Sequence, residues 1–105
     1  MSLHGKKLGL LISAAPDRPN FDRGLKLAEA ALASGVTVYL YCIDEAVPAV
    51  ADPRLQALKA RGLHLYACAY GAHRRNLQLD DCATYAGLSV VSELIASTDR
   101  FVSFN

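Results

Sequence analysis

Apolar and polar positions change their spacing several times along the chain, and each change marks an element. Residues 8–13, Leu-Gly-Leu-Leu-Ile-Ser, form a short and nearly continuous apolar run ended by Pro16, with Pro19 close behind. Such a run suits a strand buried on both faces, the kind that parallel sheets use. From Asn20 the spacing lengthens. Phe21, Leu25, Ala28 and Leu32 fall at i, i+4, i+7 and i+11, with Lys26, Glu29 and Ser34 largely off that stripe. This predicts a helix that stops at Gly35. Gly24 inside it costs about 1 kcal/mol relative to alanine, so a close helix–sheet contact is expected there.

Residues 36–43 are rich in β-branched and aromatic side chains and read as a second strand. Strand, helix and strand with tight connections make a right-handed βαβ unit. Residues 44–51 contain Pro48 and read as a loop or a broken helical turn. The next helix is punctuated by Asp52 as its cap, Pro53 in the first turn, where a missing N–H is harmless, and Gly62 as its stop. Residues 63–67 form a third strand leading into Cys68. Residues 70–76 then form a short helix, with Asn76 able to take a left-handed terminus. Residues 80–87 read as a short strand or an extended loop. Leu88, Val91, Leu94 and Ile95 mark a last amphipathic helix, closed by Asp99-Arg100, and residues 101–104 a terminal strand. Strands alternating with helices predict an α/β fold: a three-layer α/β/α sandwich on a mostly parallel sheet of about five strands.

Composition narrows this picture. A chain of 105 residues without repeat or linker is expected to be a single domain over residues 1–105. The net charge of +1 and the absence of a Lys/Arg block argue against a nucleic-acid surface. No apolar run approaches the roughly 20 residues of a membrane span. Lys6-Lys7 followed by residues 8–15 has the outline of a signal peptide, but the apolar part is short and breaks at Pro16-Asp17-Arg18. A first buried strand is the better reading. Three cysteines with no CxxC spacing fit neither a disulfide framework nor a zinc site built from cysteine pairs, and reduced thiols in a cytoplasmic protein are expected.

Candidate chemistry gathers in residues 63–76. In open α/β sheets ligands bind beyond the carboxyl ends of the strands, so the loops after the first three strands are expected to assemble the site. Cys68 closes the third strand just before a helix start, facing the positive end of a helix dipole, and the thiolate is the reactive form of a cysteine. Gly71, His73, Arg74 and Arg75 follow, and the three cationic or potentially cationic side chains would favour a thiolate or bind an anion if they point inward. Cys42 has Asp44 and Glu45 after it and reads as core; Cys82 lies beside Asp80 and Asp81 and reads as a spectator. His4 and His64 have no partners at ligand spacing, so no metal site is expected, and no glycine-rich phosphate loop follows strand one. Cys68 and Arg74 also have the Cys-x5-Arg spacing of cysteine-dependent phosphatases, which hold an oxyanion on loop amides and an arginine. Only one glycine occurs between them, and no Asp general-acid loop can be placed.

The stretch Cys68-Ala-Tyr-Gly-Ala-His-Arg-Arg-Asn76 resembles the DsrE/DsrF-like family, which includes the sulfur-relay proteins TusD, TusC and TusB. Its members carry a strand ending in Cys followed by small residues and Arg-Arg-Gly. The likeness extends to residues 25–41, to Ile43-Asp-Glu-Ala-Val47, and to the ending from Gly87-Leu-Ser through Leu94-Ile to residues 99–104. Asn76 replaces the usual glycine, and Ala46 stands where a glycine is expected. The resemblance implies a DsrEFH-like domain that assembles as a homo-oligomer, a trimer or hexamer. It implies a cysteine, here Cys68, that takes sulfane sulfur from a protein donor as a persulfide and passes it to a protein acceptor. It calls for no cofactor. A non-catalytic assembly or small-ligand-binding member of the same family is the alternative, and a phosphatase using Cys68 and Arg74 the third reading.

Overall fold

A computed structural model describes residues 3–105. The strands β1 (Lys7–Ile12), β2 (Thr37–Cys42), β3 (His64–Cys68), β4 (Thr84–Ala86) and β5 (Arg100–Phe104) form one sheet in the order β4-β3-β2-β1-β5, with every neighbouring pair parallel. Between them lie α1 (Pro19–Ala33), a 3-10 segment (Asp44–Ala51), α2 (Pro53–Ala60), α3 (Ala69–Arg74) and α4 (Ser89–Ser97). The predicted sandwich and the order of its elements are present, and the short strand in the 80–87 stretch is β4.

Alternation along the strands divides the core in two. Leu10, Ile12, Val38, Leu40, Cys42, Leu65 and Ala67 face α1 and α2, where Phe21, Leu25, Ala28, Leu55 and Leu58 meet them. Leu11, Tyr39, Tyr41, Tyr66, Cys68 and Phe101 face the opposite side, with Val47, Ala72 of α3 and Leu94 of α4. The chain steps outward from β1 to β4 and then returns across the sheet to lay β5 on the free side of β1. That reversal of direction is what carries α4 to the opposite face from α1.

Local chemistry accounts for the boundaries. Gly24 is buried, and a Cβ there would stand 2.8 Å from Ile12 Cδ1. Only glycine lets α1 approach the sheet that closely, as its position in the sequence predicts. Gly35 and Gly62 end their helices with φ of +82° and +107°, values that side chains disfavour. The Asp52 carboxylate accepts the Arg54 N–H at 2.8 Å, capping α2 over Pro53. Residues 44–51 are wound as a 3-10 helix rather than left as a loop. The left-handed Asp44, with φ of +53°, opens the segment, Pro48 lies within it, and its small apolar side chains Ala46, Val47, Ala49 and Val50 are all buried.

The last helix differs from the sequence expectation. Of its apolar stripe only Leu94 is buried; Val91 is half-buried, while Leu88 and Ile95 are 57% and 55% exposed. The helix rests on β1 and β5 along a single line of contact, and the rest of its apolar surface faces outward.

Candidate functional site around Cys68

Period-two burial in β3 ends at Cys68, which is at once the last residue of the strand and the N-cap of α3. Its backbone is extended, with φ of −66° and ψ of 116°, so its side chain lies against the first turn of the helix. Cys68 Sγ accepts the Gly71 N–H at 3.3 Å. One of the amides that a helix start leaves unpaired is thereby satisfied by sulfur. Gly71 sits in a close-fitting place. A Cβ at that position would meet Val47 Cγ2 at 3.2 Å and Cys68 Cβ at 3.5 Å. Cys68 keeps 5% of its surface accessible.

The cationic residues stand elsewhere. His73 and Arg74 lie in the last turn of α3, and Arg75 is its C-cap. The helix sets the backbone of these residues at the negative end of the dipole, where cations are favoured, but the Arg75 guanidinium reaches back toward Gly71. The Arg74 guanidinium lies 5.9 Å from the Tyr70 ring centroid, and Arg75 Nη1 donates to the Gly71 carbonyl at 3.3 Å. Among the described residues no hydrogen bond or ion pair joins His73, Arg74 or Arg75 to Cys68. The structure therefore brings Gly71 to the thiol and folds the Arg75 guanidinium back onto Gly71, while His73 and Arg74 are exposed in the last turn with no bond to the sulfur among the described residues. The Cys-x5-Arg stretch is helical, so it forms no open loop in which an arginine and several free amides converge on an anion. Asn76 takes the left-handed turn expected of it, with φ of +56°.

Tyr41 is the neighbour that sequence reasoning missed. It is fully buried on the Cys68 face of β2, and its hydroxyl donates to the Ala86 carbonyl at 2.9 Å. Ala86 is the register partner of Cys68. Burial, followed by the charge and hydrogen bonding of the Cys68 sulfur, pushes the Tyr41 hydroxyl above its ordinary range. The alternation Tyr39, Leu40, Tyr41, Cys42 hints at which face Tyr41 takes. Only the inter-strand register places it against Cys68.

The other two cysteines lie apart from this arrangement. Cys42 is fully buried on the α1/α2 side, and burial pushes its thiol up to about 12. Cys82 is half-buried, and desolvation, then a hydrogen bond and the charge of Asp80, hold its thiol up while Lys59 opposes them. Donor atoms of Asp80, Asp81 and Cys82 lie within 4.8 Å of one another, but two are on exposed carboxylates and the Asp80 oxygen is engaged by the Cys82 N–H at 3.0 Å. The turn is held against α2 by Gln56, whose Nε2 donates to the Val50 and Cys82 carbonyls at 2.6 and 2.9 Å.

The loops after the strands do not gather into one site. The direction of winding changes between β1 and β5, and a cleft of about 830 Å³ opens there, lined by Ala14, Asp17, Arg18, Asn20, Arg23, Glu45 and Asn105 among others. Cys68, on β3, is two strands away and outside it. No helix among the described residues is long and apolar enough to cross a membrane.

Comparison with known proteins agrees with the topology. No curated protein matches the chain in sequence. The crystal structure of the ychN protein from E. coli superposes with a TM-score of 0.80 at 20% identity, covering 94% of this chain and 99% of that one. This likeness concerns the fold. The family model described as the DsrE/DsrF-like family matches residues 6–104, from β1 through β5. The chain belongs to the DsrE/DsrF-like family.

Proposed function

We propose that the protein is a sulfur carrier that loads sulfane sulfur on Cys68 as a persulfide and passes it on. Membership of the family connects the chain with sulfur relay in the broad sense. The observation that carries the finer reading is the seat of Cys68 at the end of β3, with its sulfur on the Gly71 amide at the start of α3. The Gly71 N–H is a donor aimed at the sulfur, and the thiolate is the form of a cysteine that attacks. Loading is a thiol exchange. The Cys68 thiolate attacks the outer sulfur of a donor persulfide, a new S–S bond forms, the donor S–S bond breaks, and the donor cysteine leaves as its thiolate. The proton of the outer sulfur passes to the leaving thiolate, so Cys68 carries the persulfide anion. Release to an acceptor cysteine is the reverse. No metal or cofactor enters the sequence of steps. We place the protein in a reducing cytoplasm, working as a homo-oligomer with protein donor and acceptor.

The test is mass spectrometry after incubation with a persulfide donor protein. A gain of about 32 Da that is absent in Cys68→Ser is expected, and loading retained in that variant would sink the assignment.

The burial of Cys68 supports a second reading, in which the cysteine caps α3 as a structural residue of a non-catalytic assembly subunit. On that reading Cys68 in the folded protein takes up neither sulfur nor alkylating reagent until the chain unfolds.

A further inference from the structure

Tyr41 Oη and the Cys68 sulfur belong to neighbouring strands and the same buried cluster. To reach the Ala86 carbonyl on β4 from β2, the Tyr41 side chain must cross β3, and Ala86 pairs with Cys68 in the ladder. The phenol therefore lies across the position of the thiol. The residue has no accessible surface, so water does not compete for its hydroxyl. Its single proton is donated to the Ala86 carbonyl, and the Cys68 sulfur lies in the same cluster.

We propose that Tyr41 is the hydrogen-bond donor that holds the charged sulfur of Cys68, turning its proton from the Ala86 carbonyl to Sγ when that sulfur becomes the attacking thiolate. The proposal rests on Cys68 being the sulfur-carrying thiol. In the resting protein the hydroxyl donates to the Ala86 carbonyl and keeps its oxygen lone pairs unshared with any donor among the described hydrogen bonds. Once Cys68 has ionised to the attacking thiolate, a phenolic lone pair facing that anionic sulfur is repulsive. Rotation about the phenolic C–O bond replaces that repulsion with an O–H donor. The Gly71 N–H is then the second donor on the same sulfur. No bond to Tyr41 forms or breaks and the phenol keeps its proton throughout. Burial of the hydroxyl keeps it protonated at the pH where a thiolate forms. A phenylalanine would fill the same space, so the hydroxyl is the group to explain.

The experiment compares wild type with Tyr41→Phe in two assays, the pH profile of Cys68 alkylation followed by peptide mass spectrometry and the rate of persulfide loading. Loss of a hydrogen bond to a charged group is expected to slow loading about tenfold or more and to raise the alkylation midpoint by about one pH unit. Tyr66 and Tyr85 in the cluster, His73, Arg74 and Arg75 at the end of α3, Glu93 on α4 and the acids of the 3-10 segment are the same in both proteins. The difference therefore reads Tyr41. An unchanged midpoint and loading rate, with only a lower Tm, would reduce Tyr41 to a tie between β2 and β4 and overturn the proposal. Wild type that never gains sulfur overturns the carrier reading instead, and the alkylation profiles still decide whether Tyr41 acts on the sulfur. Should Tyr41→Phe not fold, 3-fluorotyrosine at position 41, a stronger donor of the same shape, is expected to lower the midpoint. No movement there overturns the proposal.

Discussion

Cys42 and Cys68 end neighbouring strands one step apart in register, yet they face opposite sides of the sheet. That single alternation gives them different chemistry. Cys42 is sealed beneath α1 and α2 with no donor on its sulfur, and burial alone lifts its thiol from an ordinary 9 to about 12. Below about pH 9 both folded and unfolded thiols are protonated and the fold has its full stability. Above that the unfolded thiol ionises first, so stability falls as the pH rises from about 9 toward 12. Wild type is therefore expected to lose stability more steeply than Cys42→Ala between about pH 8.5 and 10 in urea titrations. Equal slopes would mean that the buried thiol ionises as easily as a free one. The two roles were separable in the sequence only in part. Asp44 and Glu45 suggested why Cys42 should resist ionisation, but its burial is the larger cause. The cations after Cys68 look decisive in the linear chain because adjacency hides the rise of the helix between them. Tyr41 was invisible because it is 27 positions away, and only the β2–β3 register brings it over the thiol.

α3 is the element on which access to the sulfur depends. It has six residues, fewer than an isolated helix needs to be stable in water, and its buried side consists of Gly71 and Ala72 alone. With Cys68 5% accessible, the proposed carrier function requires this turn to open or shift for a protein donor to reach the sulfur. Ala72→Gly weakens the helix by about 1 kcal/mol and removes its methyl group from the cluster. Native-state alkylation of Cys68 is expected to accelerate by about fivefold or more, while alkylation of Cys82 stays the same. An unchanged Cys68 rate would show that reagent enters by another route. Elements bounded by local chemistry were the most legible in the sequence: α2 between Asp52, Pro53 and Gly62, and α1 with Gly24 under it. α4 was less so, since its spacing marks a helix but does not say how much of the stripe a neighbour covers.

At the scale of the whole molecule, α4 leaves two large apolar side chains uncovered. Leu88 and Ile95 project from α4, which lies over β1 and the edge strand β5. Apolar groups gathered on one edge are what an interface between copies uses. Ile95→Lys is expected to lower the mass seen in native mass spectrometry or light scattering toward that of a single chain, with far-UV circular dichroism retained. A mass identical to wild type would place the interface elsewhere.

β5 joins the sheet beside β1, so Leu8 pairs with Arg100 as well as with Val38. The second edge of the strand that becomes interior to the sheet is closed by the segment farthest from it in sequence. Closing that loop costs about 1 kcal/mol more than closing the β1–β2 loop, because chain entropy grows with the logarithm of the span. During synthesis β1 can pair with β2 long before β5 exists, and until then Gly9 presents bare backbone on an unpaired edge. A Cβ at Gly9 would stand 2.5 Å from the Phe101 ring, so the gap is shaped for β5 to fill late. In kinetic terms the chain carries a built-in order of assembly, with β5 as the strand that finishes the sheet.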